Sequence, residues 1–187
     1  MENKYLIRRK VLQLFGASFH IFDSNGRLCF FVSQKAFKLK EDIRVFSDET
    51  KSEELLLIKA RNVIDFSAVY DVFDSKTGER LGAFKRKGMK SIFKDEWLII
   101  DTQENQVGII KEDSALMATL RRFLTNLIPQ NFDGYVGQNK VFEFHHKFNP
   151  FVTKIELDFS VDTRNTFDRR LGIAAGVLLC SIEGKQN

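Results

Sequence analysis

Apolar and polar positions alternate with period two along most of this chain. The clearest stretch is 151–162, where Thr153, Ile155, Leu157, Phe159 and Val161 alternate with Lys154, Glu156, Asp158, Ser160 and Asp162. Successive side chains of a strand point to opposite faces, so the pattern predicts a strand with one apolar and one wet face. Shorter runs of the same kind occur at 5–9, 11–15, 18–23, 28–32, 43–47, 55–59, 68–73, 81–85, 97–101, 107–111, 132–136 and 140–146. They predict about twelve short strands.

Two segments break this rhythm. Residues 171–182 are apolar on every side and carry small residues at Gly172, Ala174, Ala175 and Gly176. Such a helix must be enclosed. Its apolar run of about 12 residues reaches roughly 18 Å, short of the about 20 residues that a bilayer span needs. Asn165 and Asp168 read as a capping pair, and Gly184 as a stop, which places the helix at about 166–183. Gly172 and Gly176 fit the small-xxx-small pattern of membrane helix pairs, but small residues equally let a helix fit inside a narrow protein shell, and enclosure by protein is the expectation. The other break is 114–128. There Leu116, Leu120, Phe123, Leu124 and Leu127 share a stripe, which predicts an amphipathic helix lying outside, capped by Asp113 or Ser114.

The turns repeat as well. Phe22-Asp-Ser-Asn-Gly-Arg-Leu28 and Phe73-Asp-Ser-Lys-Thr-Gly-Glu-Arg-Leu81 are two copies of one hairpin, and Ile100-Asp-Thr-Gln-Glu-Asn-Gln-Val107 is a looser third. Repetition of this kind predicts a meander of neighbouring antiparallel strands. Closing the meander removes its edges, and a barrel wider than about eight strands cannot fill its lumen from inward side chains alone. The terminal helix can fill it. The expected fold is mainly β, a closed antiparallel barrel of about twelve strands around a hydrophobic C-terminal helix, with one domain over 1–187.

Composition refines this picture. The 19 Phe make the core aromatic, and Cys29 and Cys180 lie too far apart in type of element to suggest a disulfide framework. The first residues lack the apolar stretch of a secretory signal, and Glu2 stands where myristoylation requires glycine, so a cytoplasmic protein, peripheral to a membrane at most, is expected. A net charge of +4 permits anionic partners without demanding them, and acids at Asp95 and Glu96 interrupt the basic run, which argues against nucleic acid.

Several motifs taken in order resemble a known family. They are Tyr70-Asp-Val-Phe-Asp-Ser with Gly78 and Leu81, Ala83-Phe-Lys-Arg-Lys, Trp97-Leu-Ile-Ile-Asp101, Gly108-Ile-Ile-Lys-Glu-Asp-Ser114, and the acidic strand that leads into the terminal helix. Together, from about Phe15 to Ile182, they look like the LURP-one-related and phospholipid scramblase-like family, grouped with the tubby C-terminal domains. The resemblance implies the same twelve-stranded barrel around a C-terminal helix. It also implies links to phosphoinositides, through tubby domains, and to calcium and lipid movement, through scramblases. The chain departs from scramblases in lacking a cysteine cluster, a proline-rich extension and an apolar tail beyond the helix.

Catalytic and metal chemistry find little footing. Glu156, Asp158, Asp162 and Asp168 lack the ligand spacing of a calcium loop, and Asp23-Ser-Asn-Gly26 reads as a hairpin turn. His145 and His146 neighbour each other on a strand and so diverge, and neither cysteine has an activating histidine beside it. The expectation is a non-enzymatic module with no metal and no cofactor. Its candidate partner site is the basic run 85–94, in which Lys85, Arg86, Lys87, Lys90 and Lys94 interleave with Met89, Ile92 and Phe93 and suit anionic phospholipid headgroups, although such a run more often is a solvated strand and hairpin whose cations discourage edge pairing. Arg8, Arg9, Lys10, Lys35, Lys38 and Lys40 add to the same field. The alternative is a regulatory or scaffolding barrel that binds another protein, with a calcium-dependent scramblase-like protein behind it.

Overall fold

The computed structural model describes residues 2–10, 17–34, 42–62, 68–87, 96–112, 131–147, 149 and 152–183. Twelve strands form a closed barrel: β1 Lys4–Lys10, β2 Ala17–Asp23, β3 Leu28–Gln34, β4 Asp42–Phe46, β5 Glu54–Asn62, β6 Val69–Asp74, β7 Arg80–Arg86, β8 Glu96–Ile100, β9 Gln106–Glu112, β10 Phe132–Val136, β11 Asn139–Lys147 and β12 Val152–Asp158. Each pairs antiparallel with the next. β12 then returns to β1 with Tyr5 opposite Leu157 and Ile7 opposite Ile155. The expected run 11–15 and the outer helix at 114–128 both lie outside the described residues.

Alternation dictates what faces the lumen. Tyr5 and Ile7 are buried on one face of β1 while Lys4 and Arg8 are exposed on the other. Ile21 and Ile155 flank Ile7 in register, so three strands contribute one apolar layer. Phe19, Phe84, Phe132, Phe142, Phe144 and Phe159 are fully buried, which makes the wall aromatic as the composition suggested.

One helix, α1 Arg169–Glu183, fills the lumen. Every residue from Leu171 to Ser181 is buried. Its 15 residues reach about 22 Å, and no helix among the described residues is long and apolar enough to cross a membrane. A side chain at Gly172 would lie 2.4 Å from the Phe159 ring, and one at Gly176 would lie 2.4 Å from Ile7 Cδ1 and 3.0 Å from the Phe144 ring. Gly172 and Gly176 are therefore contacts with Phe159, just past β12, and with the walls of β1 and β11.

The start of α1 differs from expectation. Asp168 caps it, its Oδ1 accepting the Arg170 N–H at 2.9 Å, while Asp162 accepts the N–H groups of Thr166 and Phe167. Asn165 instead turns the chain with φ 50°. The helix thus begins at 169 rather than 166. β12 likewise ends at Asp158, whose carboxylate accepts the Ser160 N–H, and the chain bends over the barrel mouth there. Val161 consequently leaves the apolar row in which its alternation had placed it, and is 37% exposed.

The repeated hairpin is a single turn device used five times. Asp23, Asp48, Asp74, Asp101 and Asp162 each accept backbone N–H groups of the following residues on their carboxylates. The carbonyl of each also accepts an N–H from a residue with positive φ, respectively Gly26, Lys51, Gly78, Glu104 and Asn165. Antiparallel order puts all five at one end of the barrel. The last residues of the odd strands lie at the opposite end.

Candidate functional site

The basic run that the sequence singled out divides once it is folded. Lys85 is exposed on the outer face of β7, between Val69 and Leu98 on the neighbouring strands, and has no ion pair among the described residues. Arg86 shares the inward register of Phe84 and lies across from Trp97. Lys87 Nζ lies 2.9 Å from Glu96 Oε2. Lys90 and Lys94 are outside the described residues, as are Lys35, Lys38 and Lys40.

Arg9 also leaves the surface field. It follows Tyr5 and Ile7 on the inward face, passes its guanidinium over the Phe19 ring and donates from Nη1 to the Cys180 carbonyl at 2.9 Å. Other cations brace the wall. Arg61 and Arg80 both grip Asp71, at 2.6 and 2.8 Å, and both reach Glu104. Asp71 is buried, which pushes its carboxyl up, but the two guanidinium groups outweigh this and hold it below the usual range.

Arg8 behaves otherwise. On the outer face it stands directly opposite Lys154 of β12 on one side and His20 of β2 on the other. Lys154 in turn stands opposite Lys147 of β11. Four strands thus present His20, Arg8, Lys154 and Lys147 in one register row. His20 engages Glu49, and Lys147 Nζ lies 3.4 Å from Glu156. Arg8 and Lys154 have no ion pair among the described residues. Like charges placed directly across a ladder destabilise it, so this juxtaposition works against the fold.

An outer groove of about 490 Å³ runs beside this row, lined by Lys4, Arg8 and Lys154 around Leu6 and Phe22. Its acids are engaged elsewhere. Asp23 holds its own turn and Arg27, and Glu156 faces Lys147. Lys4 sits 2.8 Å from Asp158, whose hydrogen bond and charge hold the ammonium pKa above its ordinary value. Arg8, Lys85, Lys147 and Lys154 all lie toward the end of the barrel opposite the five aspartate turns. These four cations therefore gather at one end of the barrel. No motif announced the row, because it appears only when β1, β11 and β12 are set in register.

The acids near the helix start have structural partners. Asp158 pairs with Lys4, Asp162 holds the Thr166 and Phe167 N–H groups, and Asp168 chelates the Arg170 guanidinium. Among the described residues no group of three or more His, Cys, Asp or Glu side chains is arranged to hold a metal ion. His145 faces outward to Glu143 at 3.3 Å, and His146 occupies the inward register, so the two diverge as expected. Cys29 and Cys180 form no disulfide.

A protein-family model described as LURP-one-related matches residues 3–180. No curated protein and no solved structure matches the chain.

Proposed function

The chain belongs to the LURP-one-related family, and from that premise we propose that it is a non-enzymatic module whose basic barrel end docks on anionic phospholipid headgroups. The carrying observation is the direct opposition of Arg8 and Lys154 on the outer face, without an acid between them. Neighbouring cations that repel each other in the free protein are relieved by an anion, and each such cation near an anionic surface contributes about 1 kcal/mol. The basic strand with Lys85 adds to the same end.

Sedimentation with vesicles of neutral phospholipid, with and without about 20% phosphatidylserine or a phosphoinositide, tests the reading. Binding is expected only to the charged vesicles, to weaken with salt, and to be indifferent to calcium. Arg8→Glu is the informative variant, because it places an acid opposite Lys154 and so favours the ladder while removing the site. Loss of vesicle binding with an unchanged or raised unfolding midpoint supports the reading. No binding of the unaltered protein at low salt defeats it.

A further inference from the structure

α1 does not sit centrally in the lumen. Gly172 and Gly176 press one side of it onto Phe159, Ile7 and Phe144, and its closest backbone approaches are to β12 and β1, with β5 and β7 next. Ile173, about 100° round the helix from Gly172 and about 60° from Gly176, points to the flank of that contact. The space left there, toward β3, β4 and β5, is a cavity of about 180 Å³ walled by Ile173, Phe30, Val45 and Leu56. It opens at the end of the barrel that carries the aspartate turns. Arg170 Nη1 and Asp74 Oδ2, 2.6 Å apart, bridge the helix to β6 at this mouth, and Lys76 and Glu53 face each other at 3.6 Å beside them.

We propose that this cavity is a binding site for a small uncharged amphiphile, its apolar body against Ile173, Val45 and Leu56 and its polar head at the Arg170–Asp74 rim. At roughly 30 Å³ per heavy atom the space takes about six such atoms, and its inner wall is apolar. The rim selects the head. Its two acids and two bases pair with one another, so the rim holds no spare charge for a charged head, whereas a hydroxyl needs only a hydrogen bond. Nothing in this inference depends on headgroup binding, which concerns the opposite end of the barrel.

Titration of the isotope-labelled full chain with 1-hexanol, followed by amide NMR, tests the site. Saturable shifts centred on Val45, Leu56 and Ile173 are expected, with Kd on the order of 1 mM. Hexanoate and hexylammonium should bind at least about tenfold more weakly, since each adds a charge that the paired rim does not accommodate. Val45→Phe fills the space and should abolish the shifts while leaving a folded spectrum. If that variant fails to fold, Leu55→Phe, which narrows the half-buried edge, serves in its place. Absence of saturable shifts with hexanol, equal binding of the charged compounds, or hexanol binding that survives a folded filling variant each overturns the proposal. Arg8→Glu should leave hexanol binding unchanged, which separates this site from the basic end.

Discussion

Arg9 donates from Nη1 to the Cys180 carbonyl across 2.9 Å, tying the first strand to the last turns of the enclosed helix over 171 residues of sequence. The last carbonyls of a helix lack intrahelical partners, and the macrodipole concentrates partial negative charge there. Cys180 and Ser181 are both fully buried, so water cannot serve that end freely. Ser181 satisfies its own hydroxyl on the Val177 carbonyl at 2.8 Å. Arg9 therefore provides a cation where the barrel encloses the negative end of α1.

Arg9→Ala should accordingly lower stability by about 2–3 kcal/mol, the range for a hydrogen bond from a charged group whose partner is left buried. Arg9→Lys keeps the charge but reaches the carbonyl without the planar fork and should fall between. Urea unfolding midpoints measure both. An Arg9→Ala protein as stable as the parent would show that the contact contributes nothing.

Glycine substitutions in α1 set two effects against each other. Gly→Ala gains about 1 kcal/mol of helix propensity at an exposed site, whereas overpacking a filled core costs about 1–3 kcal/mol. At Gly172 the new Cβ would sit 2.4 Å from the ring of the fully buried Phe159, so overpacking should win and Gly172→Ala should destabilise. At Gly176 the nearest atom is Ile7 Cδ1, the end of a flexible side chain, and the penalty should be smaller. Adding Phe159→Leu should recover part of the Gly172→Ala loss, and thermal unfolding of the double-mutant cycle measures that coupling. Additive effects would mean that the two residues do not oppose each other.

How much of this was legible in the sequence depends on the range of the interaction. Period-two alternation is local, and it marked the described strands, including Lys154 to Asp158. It also carried Val161 into the apolar row, because alternation says nothing of where the ladder stops and Asp162 turns the chain. Three aspartate turns were visible from their Phe-Asp or Ile-Asp openings. Those at Asp48 and Asp162 were not, since no Phe-Asp or Ile-Asp opening marks them and Lys51 and Asn165, like Glu104, stand where Gly26 and Gly78 advertise positive φ. Charge pairing is a matter of register between strands. Thus Lys85, Arg86 and Lys87 looked like one patch, although one faces solvent, one shares the inward register and one meets Glu96. The row of Arg8 and Lys154 needed the closure of β1 on β12, 146 positions apart in sequence, to come into view.

Acid should loosen the end of the barrel that the aspartate turns close. Hydrogen bonds from Arg27 and Asn25 hold the Asp23 carboxyl below its ordinary range. Asp101 is pushed up by burial, but the N–H groups of Asn105 and Gln103 more than offset this. Unfolded aspartates titrate near 3.9, so between about pH 5 and pH 2 the unfolded chain binds more protons than the native one. The stability these groups confer is complete above that window and is lost as pH falls through it. Asp101→Asn retains an acceptor oxygen for the turn but removes one titrating group. Its unfolding free energy should decline less steeply from pH 5 to pH 2 than that of the parent, by urea titrations at each pH. Equal slopes would exclude Asp101 from the acid response.

For the proposed headgroup docking, Lys85 decides the orientation. In the closed order β7 lies six strands from β1 whichever way the ring is followed, so Lys85 and Arg8 are on opposite walls. Both nevertheless lie near the end remote from the aspartate turns. A membrane that met the wall of β1 and β12 side-on would never reach Lys85. One that met the barrel end-on would reach both, and the acids of the turns, Asp23, Asp48, Asp74 and Asp101, would then point away from the anionic surface. End-on docking is the expectation. Lys85→Glu should weaken binding to phosphatidylserine vesicles about fivefold for each 1 kcal/mol of attraction removed, comparably to Lys154→Glu, with both effects fading as salt is raised. Vesicle affinity that drops for Lys154→Glu and stays constant for Lys85→Glu would instead assign the contact to the β1–β12 wall alone.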